Sequence, residues 1–324
     1  MDTVTLGQTG VQVSKLCYGT MSFGGDASED ESARLYSACR NAGINFFDCA
    51  NVYSKGRAEE ILGRLMASDR DDLVITTKAA MIAGDDPNAR GANRRHILYS
   101  VEQSLRRLNT DRVDILFMHR FDPKVPLEET LRALETLVAS GKVLYIGASN
   151  YAAWQIATAL GISRRNNWPR IDVIQPMYNL VKRQAEVEIL PLAKAENIAV
   201  VNYNPVGGGL LAGKYGPGKR PDSGRLIENE NYTKRYSEEW IFETAAAFTE
   251  FAKKLGVHPV TLAVAWAASH EAITTPIIGA RNVGQLKASL AAADFDMSAD
   301  LRAEISALSR MPPPATDRYE ENVA

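Results

Sequence analysis

Asn45-Phe46-Phe47-Asp48-Cys49-Ala50, an amphipathic stretch over 57–67, and then Leu73-Val74-Ile75-Thr76-Thr77-Lys78 decide how this chain is built. Each apolar run is short enough for a buried strand, and the stretch between them has helical periodicity, so together they read as strand, helix, strand. The same alternation recurs along the chain. Further strands are expected at Leu16–Met21, Val113–His119, Val143–Ser149, Val173–Tyr178, Ile198–Asn204 and Ile273–Gly279. Helices are expected near 28–42, 57–67, 94–109, 127–140, 152–166, 184–196, 259–269 and 283–293. The first is announced by Ser28 and Glu31, spaced as a capping box. Strands followed regularly by helices imply parallel pairing, and eight such units favour a closed (β/α)8 TIM barrel over an open doubly wound sheet. No Gly-x-Gly-x-x-Gly follows the first strand, which weakens the open-sheet reading further.

Outside the repeat, residues 4–16 read as a β-hairpin, with Val4 and Leu6 before the Gly7–Gly10 turn and Val11, Val13 and Leu16 after it. It is expected to lie as a lid over one end of the barrel. Two extra helices, near 238–255 and 298–309, are expected to pack outside it. No linker divides the chain, so residues 1–324 are expected to form a single α/β domain. A segment rich in glycine, proline and charge, about 207–238, is too long for an ordinary connection and is expected to serve a binding site. The tail, about 311–324, is similar; both are expected to be mobile without ligand.

A hydrophobic fraction of 45% provides for a sizeable core, and a net charge of −2 without a basic block argues against nucleic acid as a partner. No stretch has the length of a membrane span or the pattern of a leader, so a cytoplasmic protein is expected. Cys17, Cys39 and Cys49 are odd in number and lack metal-ligand spacing, and His96, His119, His258 and His270 fall at no metal-binding interval. No metal is expected; the chemistry points to an organic cofactor.

Asp48, Tyr53, Lys78 and His119 each fall at or just beyond the carboxyl end of an expected strand. In such a barrel those ends converge on one site. Their types are those needed to protonate a carbonyl oxygen. A phenol, with an ordinary pKa of about 10, gives up its proton reluctantly, and a nearby ammonium is expected to lower that value. Lys78 supplies the cation, Asp48 anchors it, and His119 hydrogen-bonds the oxygen that gains charge. Singly, each residue has a plainer reading as cap, packing group or solvated charge.

The stretch Phe46-Phe47-Asp48-Cys49-Ala50-Asn51-Val52-Tyr53, followed by Gly56 and Glu59-Glu60, resembles the signature of the aldo-keto reductase family. Thr76-Thr77-Lys78 and Asp114-Ile115-Leu116-Phe117-Met118-His119 are similar to that family's Lys and His strand ends. The resemblance covers nearly the whole chain. It implies reduction of an aldehyde or ketone to an alcohol by hydride transfer from NADPH, with NADH less favoured. Tyr53 would be the general acid, Lys78 and Asp48 would tune it, and His119 would polarise the carbonyl. Cofactor ratio would set the direction, and metabolism or detoxification of oxidised natural products or xenobiotics is the expected setting.

The resemblance also implies the cofactor contacts. Ser149, Asn150 and Gln175 would bind the nicotinamide carboxamide, and Tyr203 would stack on the ring. Asn204, Pro205, Gly207, Leu210, Gly213 and Lys214 belong to a segment similar to the one that wraps the pyrophosphate. Gly279, Arg281, Gln285 and Ser289 fall in the adenosine-end region, where Arg281 suits a 2′-phosphate; the chain departs from many relatives at Ala288-Ser289. Gly19, Thr20 and Asp48 complete the expected set.

Substrate-facing candidates are Met21 and Phe23 after strand one, Tyr53, His119, Arg120 and Phe121, and the C-terminal tail. Arg120 stands where many relatives carry Trp; it favours an oxygenated substrate or else pairs with Asp122. Two other readings fit the same residues. One is a Schiff-base barrel aldolase using Lys78; the other is a non-catalytic, cofactor-binding accessory subunit of a membrane channel. The expected partner is a small-molecule carbonyl compound, and the expected assembly a monomer or weak homo-oligomer.

Overall fold

The computed structural model describes residues 1–82, 84–318 and 320. Strands β1 (Thr3–Thr5) and β2 (Gln12–Ser14) form an antiparallel hairpin. Eight parallel strands follow: β3 (Cys17–Gly19), β4 (Phe46–Asp48), β5 (Val74–Ala79), β6 (Val113–Met118), β7 (Val143–Ser149), β8 (Ile171–Gln175), β9 (Ala199–Val200) and β10 (Ile277–Ile278). They pair in chain order, and β10 returns to pair with β3. The remaining gap is bridged by Thr274 and Thr275 N–H donating to the Val200 carbonyl at 2.9 and 3.2 Å, and Ile277 N–H to Asn202 at 2.8 Å. The sheet therefore curls into the expected (β/α)8 barrel. Several strands are shorter than their apolar runs, because Met21, Ala50, Tyr178 and Asn204 have already left the ladder to enter loops.

The helices are α1 (Glu29–Asn41), α2 (Arg57–Leu65), α3 (Arg94–Leu108), α4 (Leu127–Ala139), α5 (Ala153–Asn166), α6 (Ile189–Ala195), α7 (Arg225–Glu228), α8 (Glu230–Arg235), α9 (Glu239–Lys254), α10 (Pro259–Ala268), α11 (Val283–Leu290) and α12 (Ala299–Ser306). Ser28 caps α1 by accepting from Glu31 N–H, and Pro259 opens α10, where a missing N–H costs nothing. The helix expected over 184–196 is broken: a 3-10 turn, Gln184–Glu186, precedes α6. Pro191 has no N–H to return to Val187, so the helix restarts just ahead of it. The extra helices are α9 and α12. The long segment after β9 carries α7 and α8, which its glycine and proline content did not announce.

Two apolar layers position everything else. Inside the barrel lie Cys17, Phe46, Val74, Ile115, Phe117, Val173, Ala199 and Val201, joined by Leu6 and Val13 of the hairpin. Many of these are the first residues of their strands, so the hairpin closes the amino-terminal end. It sits close: Gly7 has a positive φ of 55°, and a Cβ there would come within 2.9 Å of the Ala199 nitrogen. The second layer lies between strands and helices and includes Leu35, Ile61, Leu105, Leu134, Leu160 and Trp266. Full burial of such side chains contributes roughly 1.5–3 kcal/mol each. With one end plugged, the carboxyl ends of the strands are left open.

Candidate active site

A cleft of about 1110 Å3 occupies that open end. At its floor β4 and β5 run side by side, with Asp48 paired in register to Thr76, two residues before Lys78. Lys78 Nζ donates to Asp48 Oδ1 and Oδ2 at 2.7 and 2.6 Å, to the Cys49 carbonyl at 2.7 Å and to Tyr53 Oη at 3.3 Å. Asp48 Oδ1 also accepts from Thr76 Oγ1 at 2.7 Å and from Gln175 Nε2 at 2.9 Å. Asp48 and Lys78 are almost wholly buried, which a charged pair tolerates only when both partners are hydrogen-bonded.

Tyr53 reaches this pair through an unusual turn. Ser54 and Lys55 take left-handed backbone with φ of 48° and 57°, and Gly56 follows at 92° before α2 begins. Only glycine adopts such angles without cost, so the two preceding residues hold strained backbone beside Tyr53. Ser54 Oγ donates to the Phe23 carbonyl at 2.8 Å. Behind the turn, buried Glu59 accepts from Thr77 Oγ1 at 2.5 Å and from Arg107 Nε at 2.7 Å, tying α2 to β5 and α3.

His119 follows β6, its ring edge-on to Tyr53 with centroids 6.2 Å apart. Its Nδ1 is buried without a partner, and its carbonyl accepts from Asn150 Nδ2 at 2.9 Å. Burial and then the Lys78 cation hold the imidazole down to about 3, so it is neutral at physiological pH. Tyr53 departs from expectation: burial outweighs the Lys78 cation, Asp48 adds to the rise, and the phenol is pushed up to about 12. The ammonium does pull downward, yet desolvation of the phenolate is larger. Tyr53 is therefore protonated, and its hydroxyl donates to no described residue. Lys78 is pulled down by burial but pushed above its ordinary value by Asp48 and Tyr53, so it keeps its charge.

The cleft brings together Gly19, Met21, Asp48, Tyr53, His119, Arg120, Ser149, Asn150, Gln175, Tyr203, Asn204, Pro205, Lys214, Gly279, Arg281, Gln285 and Ser289. Tyr203 Oη donates to Asn150 Oδ1 at 2.7 Å, which fixes the ring beside the carboxyl end of β7. Seven expected residues do not reach the lining; one is Lys78, buried beneath it against Asp48 and Tyr53. Thr20 is buried, its hydroxyl donating to the Asp48 carbonyl at 3.0 Å. Phe23 is buried against Tyr18, and Phe121 packs edge-on against Tyr151 and Trp154. Leu210 lies in the core, while Gly207 and Gly213, with φ of 63° and 83°, shape the turns around the lining residues. The described part of the tail contributes no lining residue; residues 319 and 321–324 lie outside the described residues.

The structure adds residues that motif reading passed over. Arg225, Asn229, Tyr232 and Arg235, from α7, α8 and the residue between them, line the cleft, with both guanidiniums over the Tyr232 ring. The density of Arg and Tyr in that segment was the available signal. At the far rim Arg281 pairs with Asp26 at 3.1 Å and Glu228 at 3.4 Å. The donor set suits a dinucleotide: Lys214, Arg225 and Arg235 form no ion pair with a described residue. The three cysteines are buried and free.

Residues 15–310 match the model of the Aldo/keto reductase family. The chain belongs to that family. It is 36% identical, over 98% of its own length and 100% of the relative's, to a protein of Oryza sativa subsp. japonica named probable voltage-gated potassium channel subunit beta. It is 34% identical to the uncharacterized oxidoreductase YrpG of Bacillus subtilis (strain 168), over 93% of this chain and 94% of that one. To the versiconal hemiacetal acetate reductase of Aspergillus parasiticus it is 33% identical, over 86% and 88%. Nicotinamide-dependent oxidoreduction of small carbonyl compounds is the chemistry this family supports. No helix among the described residues is long and apolar enough to cross a membrane.

Proposed function

We propose that the chain reduces an aldehyde or ketone to an alcohol with NADPH, Tyr53 giving the proton. The observation that carries this is the Lys78 ammonium, held by both oxygens of Asp48 and touching Tyr53 Oη. The bound nicotinamide supplies the hydride. Tyr53 donates its O–H to the carbonyl oxygen as that oxygen gains charge, and Lys78 stabilises the phenolate left behind. His119, neutral, donates a ring N–H to the same oxygen and orients it. Solvent then returns a proton to Tyr53. Ser149, Asn150 and Gln175 would hold the carboxamide, Tyr203 would pack on the ring, Lys214 and Arg225 would bind the diphosphate, and Arg281 would take the 2′-phosphate in place of its two carboxylates.

Lys78 as a Schiff-base nucleophile fits poorly, since a nucleophilic amine must be neutral and this one is charged and hydrogen-bonded on every side. A carbonyl panel of aldehydes, cyclic ketones and sugars, followed by loss of NADPH absorbance, tests the reading. Turnover with at least one member supports it, and borohydride trapping of substrate on Lys78 would replace it with the aldolase. The likeness to a protein named as a channel subunit favours a second reading, in which the barrel binds the cofactor and docks on a membrane protein. Tight NADPH binding with no reduction anywhere in the panel would favour that reading.

A further inference from the structure

We infer that Arg120 is an anion-recognising subsite, so that the preferred substrates are aldehydes or ketones bearing a carboxylate or similar oxyanion a few bonds from the carbonyl. This rests on the reductase reading of the cleft. Arg120 follows His119 directly, and both side chains line the cleft with Tyr53. It is exposed and makes no hydrogen bond or ion pair with any described residue. The carboxylate expected to claim it, Asp122, is committed elsewhere: Oδ2 accepts from Ala92 N–H at 2.9 Å and Oδ1 from Lys124 N–H at 3.0 Å. Asp48, the one carboxylate among the described lining residues, is already neutralised by Lys78. The guanidinium thus lines the cleft that holds Tyr53 and His119 with its charge unanswered among the described residues.

Arg120 is also badly placed to serve the cofactor's phosphates. Around the ring of eight strands, β6, which carries His119 and Arg120 at its end, lies four strands from β10 in either direction. Arg281 follows β10, and Lys214 and Arg225 follow β9, so the phosphate-binding cations stand across the barrel mouth from Arg120. Met81, just beyond neighbouring β5, gives that side of the cleft an apolar wall. A planar guanidinium beside apolar surface binds a carboxylate through two parallel N–H donors, and nothing has to be displaced first.

The test compares matched substrates with the full chain and NADPH: succinate semialdehyde against butanal, and para-carboxybenzaldehyde against para-tolualdehyde. The anionic member of each pair should have the higher kcat/KM by about tenfold or more, expressed in KM, and added salt should shrink the ratio. Arg120→Gln should collapse the ratio, Arg120→Glu should invert it, and Arg120→Lys should keep most of it, with melting temperatures showing that all three fold. Turnover of both members with no preference, or a preference untouched by Arg120→Gln, overturns this inference alone. No turnover of either pair, with reduction of other carbonyls in the wider panel, overturns this inference alone; no reduction anywhere in the panel overturns the reductase reading and this inference with it.

Discussion

At the scale of single residues, the proposed chemistry depends on two protonation states. His119 is neutral because burial and Lys78 hold it down to about 3, and Tyr53 is protonated because burial pushes it up to about 12. The reductive kcat/KM should therefore be flat with respect to both groups from about pH 5 to pH 10. A limb near neutrality that disappears in His119→Asn would contradict this. His119 also affects stability. Its folded value lies below its unfolded value of about 6.5, so the unfolded chain binds a proton first as pH falls. Its contribution is intact above the unfolded value and declines as pH drops toward about 3, which denaturant midpoints measured across that window would register.

Residue types were legible in the sequence, and side-chain directions were not. Asp48, Lys78 and His119 could be placed because strand ends in a barrel converge. Phe23 and Phe121 have the chemistry of substrate walls, yet each found an aromatic partner and turned into it. The net effect of opposing charge and burial on Tyr53 was equally out of reach, since desolvation depends on neighbours distant in the chain.

At the scale of elements, the left-handed turn Tyr53–Gly56 is held by the buried Glu59 carboxylate, whose partner Arg107 comes from α3. Arg107→Met leaves that carboxylate buried and unpaired and should cost about 3 kcal/mol in urea unfolding. It should also lower kcat, because α2 and the Tyr53 turn lose their anchor. An unchanged unfolding midpoint would contradict the assignment. The regular elements were readable from apolar periodicity over two or more turns. Helices α7 and α8 were not, because helices so short have little periodicity and hold their shape through packing and a single cap at Asn229.

At the scale of the whole molecule, Arg281 links three separated segments: the end of β10, Asp26 after β3, and Glu228 on α7. If Arg281 binds the 2′-phosphate as proposed, that phosphate has to compete with those carboxylates. Arg281→Ala should weaken NADPH binding by about tenfold or more while changing NADH little, as read by fluorescence titration; equal losses for both would remove Arg281 from phosphate recognition. The eightfold alternation was visible in the sequence, and so was the hairpin. Which end the hairpin closes was not, since that depends on Leu6 and Val13 meeting the first residues of distant strands.

Proton donation by Tyr53 is tested most directly by Tyr53→Phe, with turnover and NADPH affinity measured on the same preparation. Turnover should fall about 10²–10⁴-fold while NADPH affinity stays within about twofold. Turnover retained at the level of the unaltered chain would show that another group supplies the proton.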